Sequence, residues 1–171
     1  MKKVARFYKV SKERFIKDCV ESSSILSQED VLLCYNNTKL PKRATKGSAG
    51  YDFYAPFTIF LAPKQSVKIP TGIRAEICEG WVLNIYPRSG LGFRYRLQLD
   101  NTVGIIDSDY FFSDNEGHII IKITNDNNEN KTLEIEAGKA FAQGVFFEYG
   151  ITHDDDSEGV RNGGFGSTGQ L

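Results

Sequence analysis

The chain has 171 residues, enough for one domain with a sizeable core, and its formal net charge of −1 argues against a general nucleic-acid or membrane binder. Three cysteines without a CxxC pair favour a reducing compartment over a disulfide framework, and two histidines that are distant in sequence give a zinc site little support. Because the chain has no signal-peptide core and no apolar run of membrane-spanning length, it predicts a soluble, cytoplasmic protein.

The first predicted element is a helix over residues 11–21, within a basic N-terminal extension that covers residues 1–36. Ser11 is a candidate N-cap. Four apolar side chains recur on one face at helical spacing: Phe15, Ile16, Cys19 and Val20. We expect this face to dock on the body of the protein, although it could instead bind a partner. Residues 21–30 read as a polar connector.

From residue 50 onward the pattern is that of β-structure. Short β-branched and aromatic runs, such as "WVLNIYP" and "HIIIKITN", are separated by Gly, Pro and Asn. Many short strands of this kind predict an all-β barrel or a jelly-roll-like sandwich over residues 37–150. Residues 151–171 continue as an acidic loop and a glycine-rich arm.

Polar residues interrupt or end several of these runs. Asp52 stands in an apolar strand, so it is either a satisfied structural acid or an acid close to a metal. Gln143 is either a hydrogen-bonded core amide or a fixed contact to a phosphate or water. In "YPRSGLG", residues 86–92, Arg88 and Ser89 begin a turn closed by glycines, which is either an ordinary turn or an anion site.

The stretch "VGIIDSDY", residues 103–110, carries what reads as a buried strand directly into Asp107 and Tyr110. It is either a surface turn or a carboxylate held rigidly at the mouth of a site. The arm "GVRNGGFGSTGQL", residues 159–171, is either a floppy tail or a phosphate clamp that carries an aromatic ring for stacking on a base.

Five stretches taken in order resemble the motifs of the trimeric deoxyuridine triphosphatase (dUTPase) family: "KLPKRATKGSAGYDFYA", "YPRSGLG", "LDNTVGIIDSDY", "GKAFAQGVFF" and "RNGGFGSTG". The resemblance covers the chain from about Lys39 to Thr168. It implies a distorted β-barrel of the jelly-roll-like β-clip type, a homotrimer with active sites between subunits, and Mg²⁺-dependent hydrolysis of dUTP to dUMP and pyrophosphate.

The resemblance also implies a role for each matching residue. Asp107 would be the general base for a water that attacks the α-phosphorus, with Gln143 near the α-phosphate. Asp52 would lie near Mg²⁺, through water. The remaining substrate-binding positions fall into three groups: the phosphate loop of Arg88, Ser89 and Gly90; the uracil and deoxyribose site of Asn101, Val103, Gly104 and Tyr110; and the arm from a neighbouring subunit with Arg161, Phe165, Gly166, Ser167 and Thr168.

The chain departs from the common family pattern after Tyr110. The insert of residues 111–116, "FFSDNE", resembles a branch of bacterial and phage dUTPases frequent in Gram-positive organisms. We expect His118, which follows it, to be a surface-turn residue. A deoxycytidine triphosphate deaminase shares the fold but needs a glutamate where Lys122 stands, so we disfavour it. A non-catalytic module that binds a regulatory protein through the N-terminal helix and the insert is a further alternative.

Overall fold

The structure, a computed structural model, describes residues 1–22 and 27–159 and is dominated by β-strands. The strands are β1 (Ala5–Lys9), β2 (Lys42–Arg43), β3 (Tyr51–Tyr54), β4 (Ile59–Leu61), β5 (Ser66–Pro70), β6 (Ile73–Ile77), β7 (Trp81–Pro87), β8 (Leu97–Leu99), β9 (Gly104–Ile106), β10 (Ile120–Asn125), β11 (Leu133–Ile135) and β12 (Ala140–Glu148). The helices are α1 (Lys12–Glu21), α2 (Gln28–Asn37) and α3 (Ser89–Tyr95), and a 3₁₀ helix covers Ser108–Phe112. No helix in these described ranges is long and apolar enough to cross a membrane.

The largest sheet has the strand order β2-β3-β12-β7-β9, and β12 pairs antiparallel with β3 on one side and β7 on the other. The other described strands pair as β1-β6, β4-β11 and β5-β10-β8. The predicted all-β class is therefore confirmed, but these strands form separate sheets rather than one closed barrel. All four sheets contribute to one apolar core, which includes Phe53, Ile59, Ile69, Ile73, Leu83, Leu99, Ile121, Leu133 and Phe141.

The N-terminal extension begins with a strand that the sequence analysis missed. β1 pairs antiparallel with β6, and Phe7 of β1 packs edge-on against Phe53, with ring centroids 5.8 Å apart. The strand was missed because Arg6 and Lys9 flank its apolar residue, so that the segment resembles a charged tail. The extension is thus joined to the body of the protein before the first helix starts.

The predicted N-terminal helix is confirmed as α1. The Ser11 side chain caps it by accepting a hydrogen bond of 3.1 Å from the backbone N–H of Arg14. Phe15 and Cys19 are fully buried, as predicted for the docking face. The same prediction is wrong for Val20, which is 66% exposed. Since successive residues are rotated by about 100° around a helix, Val20 lies beyond the covered face.

The predicted polar connector over residues 21–30 is wrong at its C-terminal end, where α2 begins. The Ser27 hydroxyl caps this helix by accepting a hydrogen bond of 3.1 Å from the backbone N–H of Asp30. The polar residues that resemble a loop are the first turn of a helix, where acids are favoured by the helix dipole. Helix α2 packs on α1 through the rings of Tyr35 and Phe15, 5.7 Å apart.

Two predictions near the edge of the large sheet are also wrong. The turn predicted from Arg88 to Gly92 is instead the N-cap and first turn of α3, in which the Gly92 N–H donates to the carbonyl of Arg88 at 2.9 Å. The strand predicted to be buried before Asp107 is the edge strand β9, and its Ile105 is 62% exposed. An apolar run does not by itself distinguish an edge strand from a core strand.

His118 is not a surface-turn residue, because its side chain is 0% exposed. Its Nδ1 lies 2.5 Å from Oδ2 of Asp18 in α1, and the backbone N–H of Gly72 donates to its Nε2 at 2.8 Å. No local pattern indicates this burial, because the carboxylate partner Asp18 lies in the N-terminal extension, far away along the chain.

Candidate functional site

A partly open cavity of about 490 Å³ lies where β7, β8, β9 and β10 meet, and we call it the enclosed cavity because it is less open than the second cavity described below. Its walls are mostly apolar and include Ile85, Leu99, Ile105, Ile106, Ile119, Ile120 and Ile121. Such a cavity, with few polar groups at defined positions, is the usual form of a small-molecule site.

The turn between β8 and β9 brings three predicted residues to this cavity. Asn101, Val103 and Gly104 all line it. The turn is tight, because Val103 N–H donates to the carbonyl of Asn101 at 2.7 Å and Thr102 has a φ of 68°. Backbone and amide groups held in this way can present a fixed pattern of donors and acceptors to a flat heterocycle.

Tyr110 closes another side of the enclosed cavity from the 3₁₀ helix. Its side chain is buried, and its hydroxyl donates to the carbonyl of His118 at 2.8 Å. The same hydroxyl accepts a hydrogen bond of 2.7 Å from Nδ2 of Asn115. The phenol ring is therefore fixed at its outer end, and its face can serve as a wall of the cavity.

A charged pair that was not predicted from the sequence lies at the enclosed cavity. Lys122 and Asp100 both line it, with Nζ of Lys122 2.6 Å from Oδ2 of Asp100. Partial burial opposes ionisation of Asp100, but hydrogen bonds from Lys122 and Thr124 outweigh it and lower the pKa of this carboxyl. Lys68 of β5 also lines the cavity and pairs with Lys122 across the strands. No local signal marks these residues, because their meeting depends on strand register.

A second, more open cavity of about 480 Å³ lies beside the start of α3, and we call it the open cradle. Arg88, Ser89 and Gln143 line it, which brings together residues from two predicted motifs. Gln143 of β12 donates from Nε2 to the carbonyl of Pro87 at 3.3 Å. Gly90 follows Ser89 within α3.

Asp52 lies next to the open cradle and is paired with Arg88. Asp52 on β3 is the register partner of Gln143 on β12, and its Oδ1 lies 3.2 Å from Nε of Arg88. Asp52 is the more buried partner, with 17% of its side chain exposed against 44% for Arg88. The carboxylate thus orients a guanidinium whose fork of donors suits phosphate oxygens.

Asp107 directly follows β9 and occupies the N-cap position of the 3₁₀ helix, where its carbonyl accepts from the Tyr110 N–H at 3.2 Å. Its neighbour Ile106 pairs with Leu83 near one end of β7, whereas Arg88 follows the opposite end at Pro87. Four residues of strand span about 13 Å. Within one chain, Asp107 and Arg88 are therefore separated by at least this length of strand.

The predicted arm residues Arg161, Phe165, Gly166, Ser167 and Thr168 lie outside the described residues. Within residues 1–22 and 27–159, no group of three or more His, Cys, Asp or Glu side chains is arranged to hold a metal ion. A divalent cation at the open cradle would therefore have to take its other ligands from a substrate or from water.

The comparisons with known proteins all lead to one family. The family model for dUTPase matches residues 36–169. The deoxyuridine 5′-triphosphate nucleotidohydrolase of Lactococcus lactis is 41% identical over 145 residues, covering 82% of this chain and 95% of that protein. The protein of the same name from Tolumonas auensis is 38% identical, with coverages of 79% and 90%.

Among solved structures, the dUTPase of Streptococcus mutans superposes with a TM-score of 0.61 at 31% identity. The match covers 85% of this chain and 97% of that one. The five motifs, the relatives and the fold lead to the same conclusion: this chain belongs to the dUTPase family.

Proposed function

We propose that this chain hydrolyses dUTP to dUMP and pyrophosphate in a cytoplasmic homotrimer, at sites shared between subunits. Such a reaction limits uracil incorporation into DNA and supplies dUMP for thymidylate synthesis. The observation that carries the proposal is that each cavity brings together the residues assigned to bind one part of the substrate. Asn101, Val103, Gly104 and Tyr110 meet at the enclosed cavity, whereas Arg88, Ser89 and Gln143 meet at the open cradle.

The separation of the two ends of β7 supports a shared site. A general base must reach its water within hydrogen-bond distance, while the phosphate ligands hold the phosphorus that this water attacks. Asp107 and Arg88 of one chain lie near opposite ends of β7, about 13 Å or more apart along the strand, which favours a site that takes them from different subunits. A complete site therefore takes Asp107 from one subunit and the open cradle from another, with the arm closing over both.

The reaction follows from the groups gathered at such a site. Asp107 accepts a proton from a water, whose oxygen forms a new bond to the α-phosphorus. The bond from that phosphorus to the α,β-bridging oxygen breaks, and the electron pair leaves with pyrophosphate. Arg88 and Ser89 bind the phosphates, and Gln143 holds the α-phosphate in line.

Selectivity for the base and sugar follows from the enclosed cavity. A pocket that satisfies the polar edge of uracil leaves groups unpaired when cytosine binds, which is a strong basis for rejection. A close-packed pocket around the base would also reject the methyl group of thymine. Tyr110, whose ring is fixed through its hydroxyl, would pack against the deoxyribose and exclude a 2′-hydroxyl.

Mg²⁺ is the cofactor in this proposal, and the side chains at the open cradle fit it. Mg²⁺ usually binds through one or two carboxylates together with substrate phosphates and retains several waters. Asp52 supplies one carboxylate next to Arg88, so the triphosphate would hold the ion and Asp52 would contact its water shell. The ion supplies charge stabilisation to the leaving pyrophosphate.

The deaminase alternative remains disfavoured. Lys122 lines the enclosed cavity and is paired with Asp100. A protonated lysine in such a pair does not take a proton from the water that deamination requires. A regulatory binding role for the extension and the insert is compatible with activity, and we do not propose it in place of catalysis.

The test measures pyrophosphate release from dUTP, dCTP, dTTP and UTP in the presence of Mg²⁺. We expect turnover of dUTP alone and a fall of about 10²–10⁴-fold in Asp107→Asn. Glu134→Gln is the control, because it makes the same change from acid to amide at an exposed position of β11 that lines neither cavity, and it should keep wild-type turnover. Turnover of several nucleotides would contradict the roles assigned to Asn101 and Tyr110. A fully active Asp107→Asn would contradict the base assignment.

A further inference from the structure

Two features that the proposed reaction leaves unused, helix α1 and the insert of residues 111–116, bind each other directly. The backbone N–H and the hydroxyl of Ser11 donate to the two oxygens of Glu116, at 2.7 and 2.6 Å. One turn further along the helix, Nη2 of Arg14 donates to the carbonyl of Asp114 at 3.0 Å. The first turn of α1 therefore holds the second half of the insert.

The insert folds tightly over Tyr110 at this point. Glu116 and Gly117 both adopt left-handed backbone conformations, with φ of 60° and 67°. A Cβ atom at Gly117 would lie only 2.7 Å from the carbonyl oxygen of Tyr110 and from Cα of Phe111, so the backbone approaches as closely as only glycine permits. A shift of the insert would therefore also displace Tyr110.

A second, buried connection runs through the side chain of His118. The Gly72 N–H donates to Nε2, so Nε2 must be the acceptor nitrogen, and the proton lies on Nδ1, which donates to Asp18. The imidazole is thus fixed at both nitrogens, once by the body of the protein and once by α1. Arg14 supports the carboxylate, with Nη1 3.3 Å from Oδ1 of Asp18.

Both connections end at the phenol of Tyr110. The Tyr110 hydroxyl donates to the carbonyl of His118 and accepts from Nδ2 of Asn115 in the insert. The carboxamide of Asn115 is itself held, because its Oδ1 accepts from the Ser113 hydroxyl at 2.8 Å and from the Gly117 N–H at 3.2 Å. Helix α1, the insert and Tyr110 therefore form one continuous hydrogen-bonded unit, which we call the clamp.

We propose that Asp18 and His118 are positioning residues for sugar discrimination, because they fix the Tyr110 ring through the clamp. The inference rests on the proposed function, in which this ring excludes a 2′-hydroxyl. Rejection of one hydroxyl requires a wall held to within about 0.5 Å, which a single side chain on a short 3₁₀ helix does not provide alone. The N-terminal extension and the insert supply that support together.

The first experiment compares kcat/KM for dUTP and UTP in the wild type, Asp18→Ala and Asp18→Asn. Asp18→Ala leaves the buried Nδ1–H without its acceptor, and we expect the dUTP/UTP ratio to fall roughly fivefold, mainly through a lower KM for UTP. Asp18→Asn keeps an oxygen acceptor and should restore most of the ratio. Glu21→Ala, an exposed change on the same helix, should leave it unchanged.

A double-mutant cycle shows whether the effect passes through the phenol. Tyr110→Phe keeps the ring but removes the hydroxyl that the clamp holds. If the clamp acts through this hydroxyl, Asp18→Ala should have little further effect on the ratio in a Tyr110→Phe background. Equal effects of Asp18→Ala in both backgrounds would overturn the proposed route.

Glu116→Gln provides an independent variant, because it weakens the other connection without opening a buried site. Assays well below each variant's melting temperature separate discrimination from stability. If Asp18→Ala and Glu116→Gln lower the melting temperature but both keep the wild-type dUTP/UTP ratio, the clamp is purely structural and the inference is wrong. A wild type that does not hydrolyse dUTP would instead contradict the proposed function, and the inference with it.

Discussion

The enclosed cavity and the open cradle differ in how they are built. Strands form most of the walls of the enclosed cavity, and two hydrogen bonds hold the hydroxyl of its Tyr110. The open cradle lies at the end of β7 and relies on Arg88, which is 44% exposed and paired with Asp52. Discrimination between bases or sugars needs desolvated, rigid walls, whereas a triphosphate has enough charge to be bound at an open surface.

Under the proposed function, neither cavity is a complete site. The enclosed cavity would hold the base and the sugar, and the open cradle would bind the phosphates. The strand β7 keeps them apart in one chain by fixing Asp107 and Arg88 near its opposite ends. Assembly into a closed symmetric oligomer can bring one cavity of each chain against the other cavity of its neighbour.

The largest expected effect comes from mixing two inactive variants. Asp107→Asn and Arg88→Ala should each lose most dUTP turnover, about 10²–10⁴-fold for the base. In co-assembled mixtures, some sites combine an intact Asp107 from one chain with an intact Arg88 from another. Random mixing of equal amounts should restore about a quarter of wild-type turnover, because half of the chains carry each intact residue. Pyrophosphate release from the mixture measures this recovery.

The matched control replaces Arg88→Ala in the mixture with the double variant Asp107→Asn/Arg88→Ala. No chain then carries an intact Asp107, so activity should stay at the level of the single variants. If mixed oligomers form, as shown by two distinguishable tags, and no activity returns, then both residues act within one chain. That result would refute the shared site.

A smaller effect should separate the open cradle from the stability of the fold. A Cβ atom at Gly50 would lie 2.6 Å from Oε1 of Gln143. Gly50→Ala should therefore push the carboxamide away from Pro87 and from the bound phosphate. Because Gln143 can move at its far end, we expect kcat/KM for dUTP to fall roughly tenfold with little change in melting temperature.

Gly47→Ala is the control for this change, since a Cβ atom there would meet nothing within 4 Å. It should leave both activity and stability at wild-type values. A Gly50→Ala variant with full activity would show that the position of Gln143 is unimportant for turnover. A large loss of stability would show that the strand, rather than the side chain, has moved.

The sequence predicted those features of the fold and the candidate site that depend on short spacings. The cap at Ser11 and the strand that delivers Asp107 are encoded within a few residues. The five motifs together identified the family because their order constrains the chain far more than any single motif. Arg88 and Gln143 were predicted as phosphate contacts from their places in two separate motifs, and both line the open cradle.

Features that depend on long-range contacts were not predictable in this way. The burial of His118 requires Asp18, and Ser11 reaches Glu116 across the chain. The exposure of Ile105 depends on β9 being the last strand of its sheet. In each case the local sequence is compatible with both environments, and only tertiary contacts decide between them.

The smallest expected effect uses pH to probe the contact between helix α1 and the insert, which supports Tyr110 at the enclosed cavity. Burial opposes ionisation of Glu116, but hydrogen bonds from Ser11 and the charges of Arg74 and Arg14 outweigh it and lower the pKa of this carboxyl below its ordinary value of 4.5. Its stabilisation is therefore fully present above pH 4.5 and is lost as the pH falls through the lower pKa of the folded state.

Glu116→Gln should cost about 1 kcal/mol at pH 7, or about 2–4 °C in melting temperature, because an amide oxygen is a weaker acceptor for the Ser11 donors than a carboxylate. The difference from the wild type should stay constant down to about pH 5 and shrink below pH 4.5, where protonation makes the wild type resemble the variant. Melting curves between pH 3 and pH 7 measure it.

Glu129→Gln is the matched control, because a hydrogen bond and charge from Lys131 also lower the pKa of Glu129, but this pair lies on the surface. Its smaller effect should disappear in high salt, whereas the effect of Glu116→Gln should largely persist, since salt screens exposed charges much more than enclosed hydrogen bonds. If both effects disappeared in high salt, Glu116 would act as a surface charge. The support that the insert gives to Tyr110 at the enclosed cavity would then be no firmer than the partly exposed Asp52–Arg88 pair at the open cradle.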